Sequence, residues 1–168
     1  MHKVWNTTMK KLSFLRATLI ALALCCTPAH CQQLTVQTDT GKQQFTRADV
    51  ESLPHIKATA HSADNAAVYE GVALKDLLEH AGVHFGEALR GKQMASCLLV
   101  EAADGYRVVI ALPEIDPAFM EKQIILAFLR DGKPLDDKEG PFRIVIPDEK
   151  RMARWVRQVT ALKIVEVQ

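Results

Sequence analysis

Arg143, Lys150, Arg151 and Arg154 crowd one stretch near the end of this chain. A guanidinium is a planar fork that grips carboxylate, phosphate or sulfate through two parallel hydrogen bonds, so the stretch predicts an anion site. Arg151 and Arg154, three residues apart, would share one face of a helix. The alternative is ordinary surface charge, with these cations paired to Asp136, Asp137, Asp148 and Glu149. Such pairs stabilise little. His80 and His84 have the i, i+4 spacing that lets a helix present two metal ligands, but Gly82 between them favours a helix end and two exposed rings. Cys97 begins the apolar run CLLV with no basic neighbour to lower its pKa, and reads as a buried, inert thiol. Glu114 and Asp116 have the chemistry of an acid and a base, and are read first as caps of a short helix. Trp155 reads as a core anchor. There is no CxxC pair and no glycine-rich phosphate loop.

The elements that must position these groups are short. Leu34 to Thr38 alternates apolar and polar residues, as a half-buried strand does. Thr46 with Asp49 three residues on predicts a capped helix that ends by Pro54. His55 to Ala60 reads as a strand. Leu74, Leu77, Leu78 and Ala81 form an apolar stripe on a helix over 73–81, which Gly82 stops. Met94 to Ala102 and Tyr106 to Leu112 flank Asp104-Gly105 and predict a hairpin. Residues 113–120 form a turn or short helix. Ile124 to Leu129 is a strand ending at Asp131-Gly132, and Phe142 to Ile146 is another. A short helix over 150–156 precedes a last strand, Leu162 to Val167. Many short strands with few helices predict a single mixed α+β domain over 32–168.

The chain has 168 residues, 48% of them hydrophobic and 24% charged, enough for one domain with a true core. Its first 31 residues read differently. Lys10, Lys11 and Arg16 precede the uncharged run ATLIALAL and then small residues, the order of a secretory signal peptide cut after Ala29 or Cys31. The run is too short to span a bilayer, which takes ~20 apolar residues. Losing the four cations of this segment from the 21 leaves 17 against 20 acids, a formal charge of −3. That balance offers no footprint for nucleic acid. A chain cut after Cys31 keeps only Cys97, so its stability must come from packing and not from disulfides.

Four segments in order, GVALKDLLEHAGV (71–83), ADGYRVVIAL (103–112), DGKPL (131–135) and GPFRIVIPDEKRMARWVRQVTALKIVEV (140–167), resemble the molybdopterin-binding oxidoreductase domain of sulfite-oxidase-type enzymes. The likeness is greatest to small exported bacterial proteins made of this domain alone. It implies a mixed-sheet α+β fold and molybdopterin as cofactor. In catalytic members a pterin dithiolene and one protein cysteine hold molybdenum, thiolate being a soft and strongly donating ligand. That cysteine precedes the segment matching GVALKDLL. Here the region reads HIKATAHSADNAAVYEG (55–71), without cysteine. His61 stands near the vacated position, where its imidazole is a weak candidate ligand with no second donor. No metal site is therefore expected, and molybdenum is doubtful.

The resemblance also implies that the loop after Ile146 faces the pterin phosphate, where Asp148 and Glu149 would repel it and Lys150, Arg151 and Arg154 would attract it. The expectation is an exported, periplasmic or secreted domain, non-catalytic for want of the cysteine. It would bind a small anion, a pterin-like ligand or a partner protein. Two other readings are an oxidoreductase with unconventional metal ligation and a structural or accessory module.

Overall fold

Alternating burial builds the strands. In the computed structural model, which describes residues 33–62, 65–121, 123–147 and 149–166, the chain opens with β1 (Leu34–Thr38), whose Leu34 and Val36 are fully buried. It returns as β2 (Gly41–Phe45), exposed except for Phe45. The expected leader, residues 1–31, lies outside the described residues, as does Asp148. Helix α1 (Arg47–Glu51) starts as the sequence predicts. The Thr46 hydroxyl accepts the Asp49 amide, and the Asp49 carboxylate accepts the Thr46 amide at 2.7 Å. Strands β3 (His55–Ser62) and β4 (Asn65–Ala73) form a long hairpin, followed by α2 (Leu74–His80). The stripe of Leu74, Leu77, Leu78 and Ala81 is wholly buried, and Gly82 turns the chain at φ 92°.

Two 3-10 turns, Gly86–Ala88 and Gly91–Ala95, lead into β5 (Ser96–Ala102) and β6 (Arg107–Ala111), the expected hairpin. Helix α3 (Leu112–Ile115) follows. Then come β7 (Ile125–Arg130), β8 (Lys133–Pro134), β9 (Arg143–Val145), a 3-10 turn at Met152–Arg154 and β10 (Val159–Glu166). The β7–β8 turn has positive φ at both Asp131 (50°) and Gly132 (74°), the geometry that matches strand twist in a tight hairpin.

The strands form two five-stranded sheets. The first runs β2-β1-β10-β5-β6, with β1 and β10 parallel and the other pairs antiparallel. The second is antiparallel and runs β3-β4-β7, with β8 and β9 sharing the far edge of β7. One buried cluster joins inward residues of both sheets, such as Leu98, Val100 and Leu162 with Leu126, Phe128 and Ile144, to those of α2. Gly71 sits at a bulge in the β4–β7 pairing, where an added Cβ would lie 2.6 Å from the Ala127 Cα. The close approach of two backbones requires glycine there.

Three expectations change. The predicted helix over 150–156 shrinks to one 3-10 turn, with Arg151 before it in extended backbone (φ −134°, ψ 130°). The chain is pulled straight because the Ile144 amide donates to Val156 O while Trp155 and Val156 both enter the core. Arg151 and Arg154 therefore share no helical face. Cys97 is half-buried, on the outer side of β5, with its thiol 3.6 Å from Val165 O. Strand alternation turns Leu98 inward and Cys97 outward. Finally, β2 and β4 had no predicted counterpart: β2 carries one apolar residue, and alanines fill much of β4.

Candidate functional site

A glutamate and a tyrosine, neither singled out in the sequence, hold the first of the four candidate cations. Arg143, on β9, is 7% exposed. Its Nη1 is ion-paired with Glu139 and donates to the Tyr69 hydroxyl at 3.3 Å. Its guanidinium lies 5.5 Å from the ring centres of both Tyr69 and Trp155, which meet edge to face at 6.0 Å. Trp155 is fixed by its own bond, Nε1 donating to Ile146 O at 3.1 Å. The Arg143 Nε is buried and has no partner among the described residues. A buried, unpaired donor carries a desolvation cost of about 1–3 kcal/mol, more for a charged group, and marks a place where an acceptor is wanted.

Arg143 and Glu139 line a cleft of about 390 Å³ together with Asp104, Tyr106, Trp155 and Arg157. Its walls come from three parts of the chain. The β5–β6 turn supplies Asp104 and Tyr106, and the Tyr106 hydroxyl donates to Ala153 O at 2.7 Å, tying that turn to the 3-10 turn at 152–154. Gln158, at φ 50°, joins the rest: its amide donates to Glu139 O, its carbonyl accepts the Ala103 amide, and its Nε2 donates to Asp137 O at 2.7 Å. Two acids face two arginines, so the cleft is close to neutral. Burial pushes the Tyr69 hydroxyl above its ordinary pKa, against the opposing pull of Arg143. Tyr69 therefore stays a neutral partner for Arg143.

The other candidates lie elsewhere. Arg154 donates from Nε to Glu149 at 2.7 Å and from Nη1 to Glu114 at 3.0 Å. Burial pulls its pKa down, but these two carboxylates outweigh it and leave it raised. Lys150 and Arg151 are exposed and form no ion pair among the described residues. His61 is exposed on β3 opposite Ala66, and neither it nor Thr59 lines the Arg143 cleft. Glu114 also accepts the Ala111 amide at the start of α3. Asp116, 2% exposed, accepts the Gly86 amide at 2.6 Å and so pins a turn. His80 ends α2 with its ring 5.9 Å from Phe45, and the backbone reversal at Gly82 separates it from His84. The structure thus brings together Arg143, Glu139, Tyr69 and Trp155, whereas Lys150, Arg151, Arg154 and His61 stay outside that cluster.

The model of the oxidoreductase molybdopterin-binding domain matches residues 4–168. The chain belongs to this family. No curated protein matches it. Among solved structures it is similar to the sulfane dehydrogenase SoxCD of Paracoccus pantotrophus, at 22% identity and a TM-score of 0.64. The match covers 80% of this chain and 38% of that one, so the family domain here spans well under half of the larger protein. The likeness establishes the mixed α+β, sulfite-oxidase-type fold.

The donor set does not fit a thiolate-held molybdenum. Cys97 is the one cysteine among the described residues, and it lines neither the Arg143 cleft nor the cleft at the other end of β5. No three His, Cys, Asp or Glu side chains among the described residues converge as metal ligands.

Proposed function

We propose that this family member is an exported, non-catalytic domain that binds a small, flat, polar ligand in the cleft beside Arg143. The observation that carries the reading is the buried Arg143 Nε, which has no hydrogen-bond partner among the described residues and belongs to a side chain lining a cleft of about 390 Å³. A ligand oxygen would satisfy it, and Arg157 can add a second donor. Asp104 and Glu139 can accept from ligand N–H groups, and Trp155 and Tyr106 supply aromatic surface. A free pterin, with an oxo acceptor beside amino and ring N–H donors, matches this mixture better than a bare anion. Arg143 already has a carboxylate partner, and the cleft is nearly charge-balanced. The domain therefore keeps the family's affinity for a heterocycle without the sulfur that would make a metal centre.

Titration of the full chain with biopterin, followed by fluorescence and thermal unfolding, tests this. Biopterin should raise the unfolding temperature, as any ligand of the native state does. Ala153→Trp, at an exposed position lining the cleft, should abolish the rise. An equal rise with inorganic sulfate would favour the bare-anion reading, and no response to either would overturn ligand binding here. Stoichiometric molybdenum in protein purified from its native compartment would overturn the non-catalytic assignment.

A further inference from the structure

A second cleft, of about 360 Å³, opens at the opposite end of β5 and β10. Ala102, at the C-terminal end of β5, lines the Arg143 cleft, and Ser96, at its N-terminal end and opposite Glu166, lines this one. The floor is aliphatic: Val83, Leu89 and Leu112 are buried and Ile164 partly so. Polar groups ring it. Asp39 follows β1, Glu166 ends β10, and Gln93 and His84 come from the segment after α2. Four separate parts of the chain therefore converge on one hollow.

Two features make this more than a pair of surface acids. Ser96 is 4% exposed and lies on the inward side of β5, yet its hydroxyl has no hydrogen-bond partner among the described residues. Ser96 lines the cleft, so its hydroxyl is free to donate to or accept from a group held there. Asp39, Glu166, His84 and Gln93 are likewise without side-chain partners among the described residues, whereas most other acids of the fold are neutralised or cap a turn. The cleft carries two carboxylates and no Lys or Arg. Its fixed charge is negative over an apolar floor.

We infer that this cleft binds a small organic cation, a primary ammonium group on a hydrocarbon body. The ammonium is set by the Asp39 and Glu166 carboxylates and the Ser96 hydroxyl, and the body lies on Val83, Leu89, Leu112 and Ile164. A metal ion is the poorer fit, because these side chains do not converge at ligand separations. An ammonium with three donors and a short apolar stem tolerates wider spacing and uses the floor a metal would leave idle.

The test is isothermal titration of the full chain with phenethylammonium, 2-phenylethanol and phenylacetate, which share a ring and differ in charge. The ammonium should bind, with amide NMR shifts at Val83, Ser96 and Glu166. The alcohol should bind at least tenfold more weakly and the acid not at all. Glu166→Gln and Asp39→Asn, both at exposed positions, should each weaken the ammonium about tenfold, and Ser96→Ala by a few-fold. Equal affinity for alcohol and ammonium would overturn the charge argument. Shifts confined to residues around Arg143, or no binding at millimolar ammonium, would overturn the site. Biopterin binding at Arg143 is read separately and does not bear on this result.

Discussion

Arg143 shows what one buried charge demands of its surroundings. Among the described residues Glu139 is its one carboxylate partner, and both side chains are largely removed from water. Truncating one member of such a pair strands the other, at a cost of about 3–5 kcal/mol. Glu139→Ala should therefore lower unfolding free energy by about that much in urea. Glu51→Ala, which breaks the half-exposed pair with Arg47, should stay within about 0.5 kcal/mol. A pH signature belongs at the same scale. The hydrogen bond from Lys57, and behind it that from His55, holds the Glu70 carboxyl below its ordinary value of 4.5. A folded-state pKa below the unfolded one stabilises above the unfolded value, and that contribution is lost as pH falls through the folded pKa. Wild type should thus lose stability relative to Glu70→Gln as pH drops below 4.5, measured by acid-dependent denaturant melts. A constant difference across that window would refute the assignment.

Caps and crossings decide matters at the scale of the element. Removing the Thr46 hydroxyl from the reciprocal cap of α1 should cost about 1 kcal/mol. Leu77→Ala opens a cavity beneath α2 and should cost about 2–5 kcal/mol. Gly71→Ala should be worse tolerated than its size suggests. The new methyl meets the backbone of Ala127 across the β4–β7 bulge, and backbone yields less than a side chain. Chemical denaturation of the three variants ranks Thr46→Ala mildest, and a neutral Gly71→Ala would show that the two strands are not so close. The α1 cap, the α2 stripe and the Asp131-Gly132 turn were all legible in the chain, because each depends on residues within a turn or two of one another in sequence. The long β3–β4 hairpin was half legible: His55 to Ala60 alternates, but the returning strand is rich in alanine. The missing helix at 150–156 has the opposite cause. Its sequence permits a helix, and the pull of Val156 toward Ile144 straightens it.

The whole molecule sets two clefts at opposite ends of one strand pair, β5 and β10. Ligand responses at the two should be independent, because no residue lines both. Expressed from its full reading frame in a bacterium, the chain should be recovered outside the cytoplasm beginning after Ala29 or Cys31, by N-terminal sequencing. An intact Met1 or Met9 terminus in the cytoplasmic fraction would refute it.

Family membership and the mixed α+β class were present in the order of a few segments, since each encodes a local element whose pattern survives without knowledge of its neighbours. The want of a cysteine between His55 and Gly71 was equally plain in the chain. The grouping of charges was not. Four basic residues close in sequence suggested one anion site, yet Arg143 turns inward to Glu139 and Tyr69, Arg154 is claimed by Glu114 and Glu149, and Lys150 and Arg151 face solvent. Tyr69 reaches Arg143 within one sheet, from β4 across β7 to β9, and the packing of the second sheet brings Asp104 from a distant hairpin to the same cleft. A side chain's partners depend on contacts across the core, and those distances are set by the tertiary fold.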